Sequence, residues 1–131
     1  MISMARSMTL LVAVCAVTVL CPAWADDIKA TDEGKGMQFG GKKYELKDKG
    51  QVAVLLSFEA GKEVEATTSG SNQSDVHLYV CDEQGKSVGM DDSPTPDCSV
   101  RFTPAADGKY KFLIKNWKAD NTVTFKVKAA K

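Results

Sequence analysis

Short runs in which every second residue is apolar recur along most of this chain, and they restrict its fold more than any other feature. Residues 76–81 show the pattern clearly, because three apolar residues alternate there with His77, Tyr79 and Cys81. Successive side chains of a β-strand leave opposite faces of the sheet, so this period of two predicts a strand with one buried face. The turn residues of 82–85, DEQG, then end the strand.

Similar runs account for most of the chain after residue 42. They lie at residues 43–46, 51–59, 62–68, 86–90, 99–103, 109–115 and 121–128. Glycine, proline, asparagine and aspartate separate them, as in the stretch 91–97 with its two prolines. Seven or eight short strands without helical periodicity predict one all-β domain, an antiparallel β-sandwich.

The N-terminal residues 1–25 have the organisation of an export signal. Arg6 precedes an apolar run that is too short to cross a bilayer comfortably, and Ala23-Trp24-Ala25 fits a small-x-small cleavage site. We expect cleavage after Ala25 and a soluble protein that is periplasmic or secreted. Lipid attachment at Cys21 is disfavoured, because the two residues before it are bulky.

The rest of the chain divides into an arm and a domain. Residues 26–36 are polar and show no periodicity, so they predict a flexible N-terminal arm. Residues 37–131 hold all the predicted strands and form the single sandwich domain. No second apolar segment predicts a membrane span.

Cysteine positions predict one disulfide. Cleavage after Ala25 would remove Cys15 and Cys21, which leaves Cys81 and Cys98. Two cysteines in an exported domain are most simply paired, and closing a loop of this length would stabilise the fold by about 3 kcal/mol. Alternatively, the two cysteines supply half of a metal site or form a redox pair. Their spacing is not C-x-x-C, however, and the chain has one histidine.

Charge and motif content disfavour several classes of function. The chain has 17 basic and 17 acidic residues, so it lacks the concentrated positive charge that nucleic-acid binding requires. It also lacks a G-x-S-x-G elbow, zinc-ligand spacing and a glycine-rich phosphate loop. We therefore expect a protein that is not an enzyme and assign no catalytic residue.

Several motifs together resemble the bacterial pre-peptidase C-terminal (PPC) domain, whose pattern is D-x-D-L-Y-v, a turn ending in glycine, and f-t-p before G-x-Y. The corresponding stretches here are DVHLYV at 75–80, DEQG at 82–85, FTP at 102–104 and GKY at 108–110. The resemblance implies a jelly-roll-like sandwich, here as a stand-alone exported domain. Such domains are usually appended to secreted hydrolases, and some bind matrix polymers or calcium. His77 replaces an aspartate that the family often has.

Acidic residues around two neighbouring loops are candidate calcium ligands. Asp75, Asp82, Asp91 and Asp92 form this set. Calcium takes six to eight oxygen ligands, and loop carboxylates in an exported domain are a plausible source of them. Turn formation and solubility explain the same residues, because the chain has no ordered D-x-D-x-D-G loop.

Five further residues are candidates for a binding surface. Trp117 lies in a predicted turn, where a tryptophan is either a binding anchor or a lid on the end of the sandwich. His77 and Tyr79 share the outward face of their strand, as a contact surface or as an ordinary sheet face. Lys111 and Lys126 belong to the lysines on the last two strands; side by side these would attract a polyanion or protect a sheet edge.

These observations favour an exported, noncatalytic module that binds a protein or an extracellular or cell-wall glycan. The surface would be the loop end near Trp117 and residues 91–97. One alternative is a periplasmic inhibitor or accessory of a secreted hydrolase. Another is a structural module that depends on calcium.

Overall fold

The computed structural model describes residues 20–24 and 28–130. This part of the chain contains nine β-strands and one short helix. They are β1 (Ala30–Lys35), α1 (Gly36–Phe39), β2 (Gly41–Leu46), β3 (Gln51–Phe58), β4 (Val64–Gly70), β5 (Val76–Cys81), β6 (Ser87–Asp91), β7 (Ser99–Phe102), β8 (Gly108–Asn116) and β9 (Asn121–Ala129). The predicted all-β sandwich is confirmed, with nine strands rather than seven or eight.

The two sheets are organised by nested strand pairs. The five-stranded sheet has the order β1-β3-β8-β5-β6 and the four-stranded sheet the order β2-β9-β4-β7. Strand β5 pairs with β6, β4 with β7, β3 with β8 and β2 with β9, all antiparallel. The second half of the chain therefore retraces the first, as in one long hairpin rolled into a jelly roll.

The tip of this long hairpin is the turn between β5 and β6. The Asp82 carboxylate accepts hydrogen bonds from the backbone N–H groups of Gln84 and Lys86, both at 2.9 Å. Gly85 takes a φ of 82°, a left-handed conformation that glycine adopts without a steric penalty. Aspartate and glycine thus reverse the chain where the sequence predicts a turn.

Aromatic rings fill the core between the two sheets. Phe112 of β8 and Phe125 of β9 are fully buried, and their ring centroids lie 5.3 Å apart across the sandwich. Phe58 and Phe102 pack around the Phe112 ring, each with a centroid distance of 5.9 Å. These residues stand at the alternate positions that the sequence pattern assigns to the buried face.

Part of the predicted arm is a strand. Residues 26 and 27 lie outside the described residues, but β1 pairs in parallel with β3, with Ala30 opposite Ala53. A 2.7 Å ion pair between Asp32 and Lys109 of β8 also fastens β1. The prediction of a flexible arm is therefore wrong for this stretch, because an edge strand with exposed side chains needs no alternating apolar pattern.

The predicted Cys81–Cys98 disulfide is also wrong. Cys81 forms its disulfide with Cys21, with 6.1 Å between the two Cα atoms. Cys81 ends β5, whereas the Cys98 thiol donates a 3.0 Å hydrogen bond to the carbonyl of Val76, at the start of β5. A strand advances about 3.3 Å per residue, so the two sulfur atoms lie at opposite ends of a strand and cannot meet.

Cys98 is a free and buried thiol within the described residues. Burial is the main reason why the pKa of Cys98 is raised to about 11. Nearby carboxylates raise this pKa further, whereas a hydrogen bond with Thr68 acts in the opposite direction.

Residues 1–19 and 25–27 lie outside the described residues, and with them most of the predicted export signal and its cleavage site. In the described part of the chain, no helix is long and apolar enough to cross a membrane.

Replacing Phe112 by alanine tests the core. We expect the free energy of unfolding to fall by about 3–5 kcal/mol, because the change leaves a cavity among three other aromatic rings. Denaturant unfolding measures the effect, with Lys126→Ala on the exposed face of β9 as the control. A loss below 1 kcal/mol for Phe112→Ala would contradict this packing.

Candidate binding surface

Trp117 stands at one end of the five-stranded sheet in a defined orientation. Its indole N–H donates a 3.1 Å hydrogen bond to Nδ1 of His77, and the residue keeps 37% of its surface exposed. The ammonium group of Lys115 lies 4.8 Å from the ring centroid, a cation–π distance. The indole is therefore held in place while part of it faces solvent.

His77 connects Trp117 to two further side chains. Because Nδ1 accepts a hydrogen bond from the indole N–H, the neutral imidazole ring of His77 carries its proton on Nε2. Nε2 lies 2.9 Å from the Asp75 carboxylate, and the hydroxyl of Tyr79 lies 3.1 Å from Nδ1. The predicted surface residues His77, Tyr79 and Trp117 thus form one cluster, which also contains Asp75 and Lys115.

Buried asparagines fix the loop that carries Trp117. Asn116 ends β8, and its amide donates hydrogen bonds to the carbonyls of Leu46, Lys47 and Ala119. The backbone N–H of Trp117 donates to the carbonyl of Asp75 at 2.7 Å. The loop is therefore tied both to the end of β2 and to the start of β5.

Asn121 fastens the other side of the same loop. Its carbonyl oxygen accepts hydrogen bonds from the Ser71 hydroxyl and the Asn72 N–H, both at 3.0 Å. Its amide group donates to the Asn72 carbonyl and to the Ser74 hydroxyl. Strand β9 therefore begins in contact with the loop between β4 and β5.

The loop of residues 92–98 lies beside the Trp117 cluster. The Val76 N–H donates to the carbonyl of Thr95, and the Thr68 hydroxyl donates to that of Pro96. The structure thus brings Trp117 and the proline loop to the same end of the sandwich, as the sequence predicts.

Asp91 anchors this loop rather than facing a shared site. Its carboxylate accepts hydrogen bonds from the N–H and hydroxyl of Ser93 and from the N–H of Ser99. Burial alone would raise the pKa of Asp91, but these hydrogen bonds outweigh it and lower the pKa below its ordinary value of 3.8. Asp91 therefore stabilises the loop as an ion.

The four candidate calcium ligands do not converge. Asp82 caps the turn at the far end of β5, Asp75 contacts His77, and Asp92 lies exposed beyond β6. Among residues 20–24 and 28–130, no three His, Cys, Asp or Glu side chains are close enough together to hold a metal ion.

The two candidate lysines lie on different sheets. Lys111 belongs to β8 of the five-stranded sheet and Lys126 to β9 of the four-stranded sheet. They point outward on opposite sides of the sandwich, so the predicted lysine surface does not form. The expectation assumed that consecutive strands are neighbours, whereas a jelly roll places these two in different layers.

Sequence reasoning missed the roles of Asn116 and Asn121, and it counted Lys115 only among the outward lysines of the last two strands. Lys115 lies opposite His77 in the strand register, so knowing that β5 and β8 are neighbours would have placed it beside the cluster. A buried asparagine at a strand end has no such signal, because its role depends on backbone carbonyls from other loops.

The larger concave regions lie at the opposite end of the five-stranded sheet. Two clefts of about 640 and 610 Å³ adjoin there and share Glu83 and Lys109. Three of the six charged groups that line the second cleft are already paired, since Lys109 pairs with Asp32 and Lys62 with Glu59. We therefore place the binding surface at the Trp117 cluster, which has an exposed and oriented aromatic ring.

Comparisons with known proteins identify the fold. No protein-family model and no curated protein sequence matches the chain. The pre-peptidase C-terminal domain of collagenase from Bacillus anthracis has a similar structure, with a TM-score of 0.64 and 14% identity over 77% of this chain and 96% of that one. The PPC resemblance predicted from the motifs is thus confirmed at the level of the fold.

Two further solved structures share the architecture. CorA, a surface-associated copper-binding protein of Methylomicrobium album, matches with a TM-score of 0.57 and 9% identity over 77% of this chain and all of that one. PliG of Aeromonas hydrophila, a periplasmic inhibitor of g-type lysozyme, matches with a TM-score of 0.50 and 14% identity over 76% of this chain and 98% of that one.

Replacing Asp91 by asparagine tests the loop anchor. We expect a loss of unfolding free energy of about 1 kcal/mol at neutral pH, because the ionised acceptor disappears. The folded pKa is lowered, so the contribution is complete above the ordinary pKa of 3.8 and is lost as pH falls through the folded value. Unfolding curves of both proteins at several pH values measure this; a difference that stays constant down to pH ~2 would contradict it.

Proposed function

We propose that this chain is an exported, noncatalytic binding module that recognises a protein or an extracellular glycan. The observation that carries the proposal is the oriented and partly exposed indole of Trp117. The surface is the Trp117 cluster, formed by Trp117, His77, Tyr79, Lys115 and Asp75, together with the loop 92–98.

An indole that is already fixed binds at a lower entropic cost than a mobile one. Hydrogen bonding to His77 and the cation–π contact with Lys115 restrict the Trp117 ring before any partner arrives. Tryptophan in such a position is enriched among the residues that dominate binding energy. The exposed ring suits the apolar face of a sugar or an apolar side chain of a protein.

Groups of both charge signs surround this ring. The Asp75 carboxylate lies beside His77, and Lys115 supplies an ammonium group whose hydrogen bonds go to the Lys49 carbonyl and to Gln51. A flat aromatic ring with a few fixed polar groups around it provides both contact area and hydrogen bonds for orientation. This arrangement favours a neutral or mixed-charge ligand over a polyanion.

A noncatalytic role agrees with the state of the single histidine. His77 accepts the Trp117 indole proton on one nitrogen and contacts Asp75 with the other. Its ring nitrogens are thus engaged in holding the surface together. The PPC domain and the lysozyme inhibitor that share this fold support a binding role by analogy.

Inhibition of a secreted hydrolase is the second candidate. It is favoured by the fold likeness to PliG, which extends over 98% of that inhibitor. In this case the loops beside Trp117 would occlude the active site of the enzyme. Residual g-type lysozyme activity at increasing concentrations of this protein tests the idea, and unchanged activity at a large molar excess would exclude that enzyme class.

Replacing Trp117 by alanine tests the binding surface. The immobilised exported protein is incubated with exported proteins and polysaccharides from its source, with and without calcium. We expect Trp117→Ala to reduce capture at least tenfold, a loss typical of a central aromatic contact. Protease or glycosidase treatment of the captured material identifies its class.

Met37→Ala is the matched control. Met37 is also exposed, with 44% of its surface accessible, but it lies at the opposite end of the sandwich. Capture by this variant should equal that of the unmodified protein, and both variants should keep its melting temperature within a few degrees. Normal capture by Trp117→Ala would contradict the proposed surface.

A further inference from the structure

The outer face of the five-stranded sheet has an apolar centre. Ala53 of β3, Leu113 of β8 and Cys81 of β5 point outward there, yet each is at most 2% exposed. A sheet face in contact with water usually carries polar side chains. Something therefore covers this centre.

The cover is the segment of residues 20–24, which we call the strap. Cys21 is bonded to Cys81 through the disulfide, and its N–H donates a 3.0 Å hydrogen bond to the carbonyl of Gly85. The Trp24 ring packs edge-on against Tyr79, with 5.6 Å between centroids. Covalent, polar and apolar contacts thus seat the strap on this face.

The strap also contacts the Trp117 cluster. The ammonium group of Lys115 lies 5.7 Å from the centroid of Trp24 and 4.8 Å from that of Trp117. One lysine therefore lies within cation–π distance of two indoles, one from the strap and one from the loop after β8. Ile28 and Ala30 complete the apolar cover next to the strap.

Removal of the strap would leave two cysteines without possible partners in the same chain. Cys81 and Cys98 lie at opposite ends of β5 and cannot pair. Cleavage after Ala25 would take Cys21 away and expose an unpaired Cys81 thiol on an apolar face. An oxidising compartment would not leave such a thiol unmodified.

We propose that the strap is a permanent part of the exported protein and that the signal is cut upstream of Cys21 rather than after Ala25. The occupant of the outer face is thus a segment of this same chain. The Cys21 and Cys81 thiols lose two protons and pass two electrons to a protein disulfide of the exported compartment by thiol–disulfide exchange. The resulting bond keeps Leu113 and Ala53 covered.

Intact mass and peptide mapping of the exported protein test this. The full chain is expressed with its own N-terminus in a bacterial host, isolated from the exported fraction and alkylated without reduction. We expect a mass that includes Cys21 and a disulfide-linked peptide pair that joins Cys21 to Cys81. Cys98→Ser should keep that linked pair, since Cys98 takes no part in it.

Cys21→Ser is the matched variant. It should lose the linked pair, and Cys81 should change from the intrachain disulfide to a thiol that carries either one alkyl label or a mixed or intermolecular disulfide acquired in the oxidising compartment. Three results would overturn the inference: an exported protein that begins at Asp26, a diacylglyceryl group on Cys21, or an alkylated Cys81 in the unmodified protein. Each is read from the mass and does not require the variant to fold.

Discussion

Nested antiparallel pairing is the constraint on which the rest of this structure depends. The β5–β6 hairpin closes a short turn. Once an inner pair has formed, the next pair outward has to close only the short loops that connect it to that inner pair. The entropic cost of joining distant strands such as β2 and β9 is thereby divided into small steps. The same order sends the chain back and forth between sheets, so loops gather at the two ends. Four of them, at 47–50, 71–75, 92–98 and 117–120, meet beside Trp117.

The period-two pattern predicted strands β2 to β9, but it did not show which of them are neighbours in a sheet. It identified the buried residues of β5, β8 and β9, because hydrophobic burial requires alternation wherever one face is covered. It could not show that β8 and β9 belong to different sheets, and the lysine surface was therefore wrong. Strand β1 escaped notice for a different reason: it adds backbone hydrogen bonds at an edge and buries little of its side chains.

The candidate surface was predicted in part. Trp117, His77 and Tyr79 could be predicted as surface residues, because their residue types and outward positions indicated exposure. The structure brings the three together. The roles of the aspartates were harder to assign, since an aspartate that caps a turn cannot be distinguished in the sequence from one that binds a cation. Asp82 and Asp91 form hydrogen bonds with nearby N–H groups, which only the local geometry reveals. The disulfide prediction was wrong because the expected cleavage after Ala25 excluded Cys21 as a partner. The distance between Cys81 and Cys98 along β5 could not be read from the sequence.

The burial of Cys98 has a consequence for the chemical lifetime of the disulfide. Exchange requires a thiolate, and burial, which raises the pKa of Cys98 to about 11, keeps this thiol protonated at neutral pH. The hydrogen bond from its sulfur to the Val76 carbonyl also holds the sulfur at the far end of β5. Among the described residues, Cys98 is therefore both too far away and too rarely charged to reshuffle the Cys21–Cys81 bond within one molecule. A protein with an odd thiol can thus keep one defined pairing in an oxidising environment.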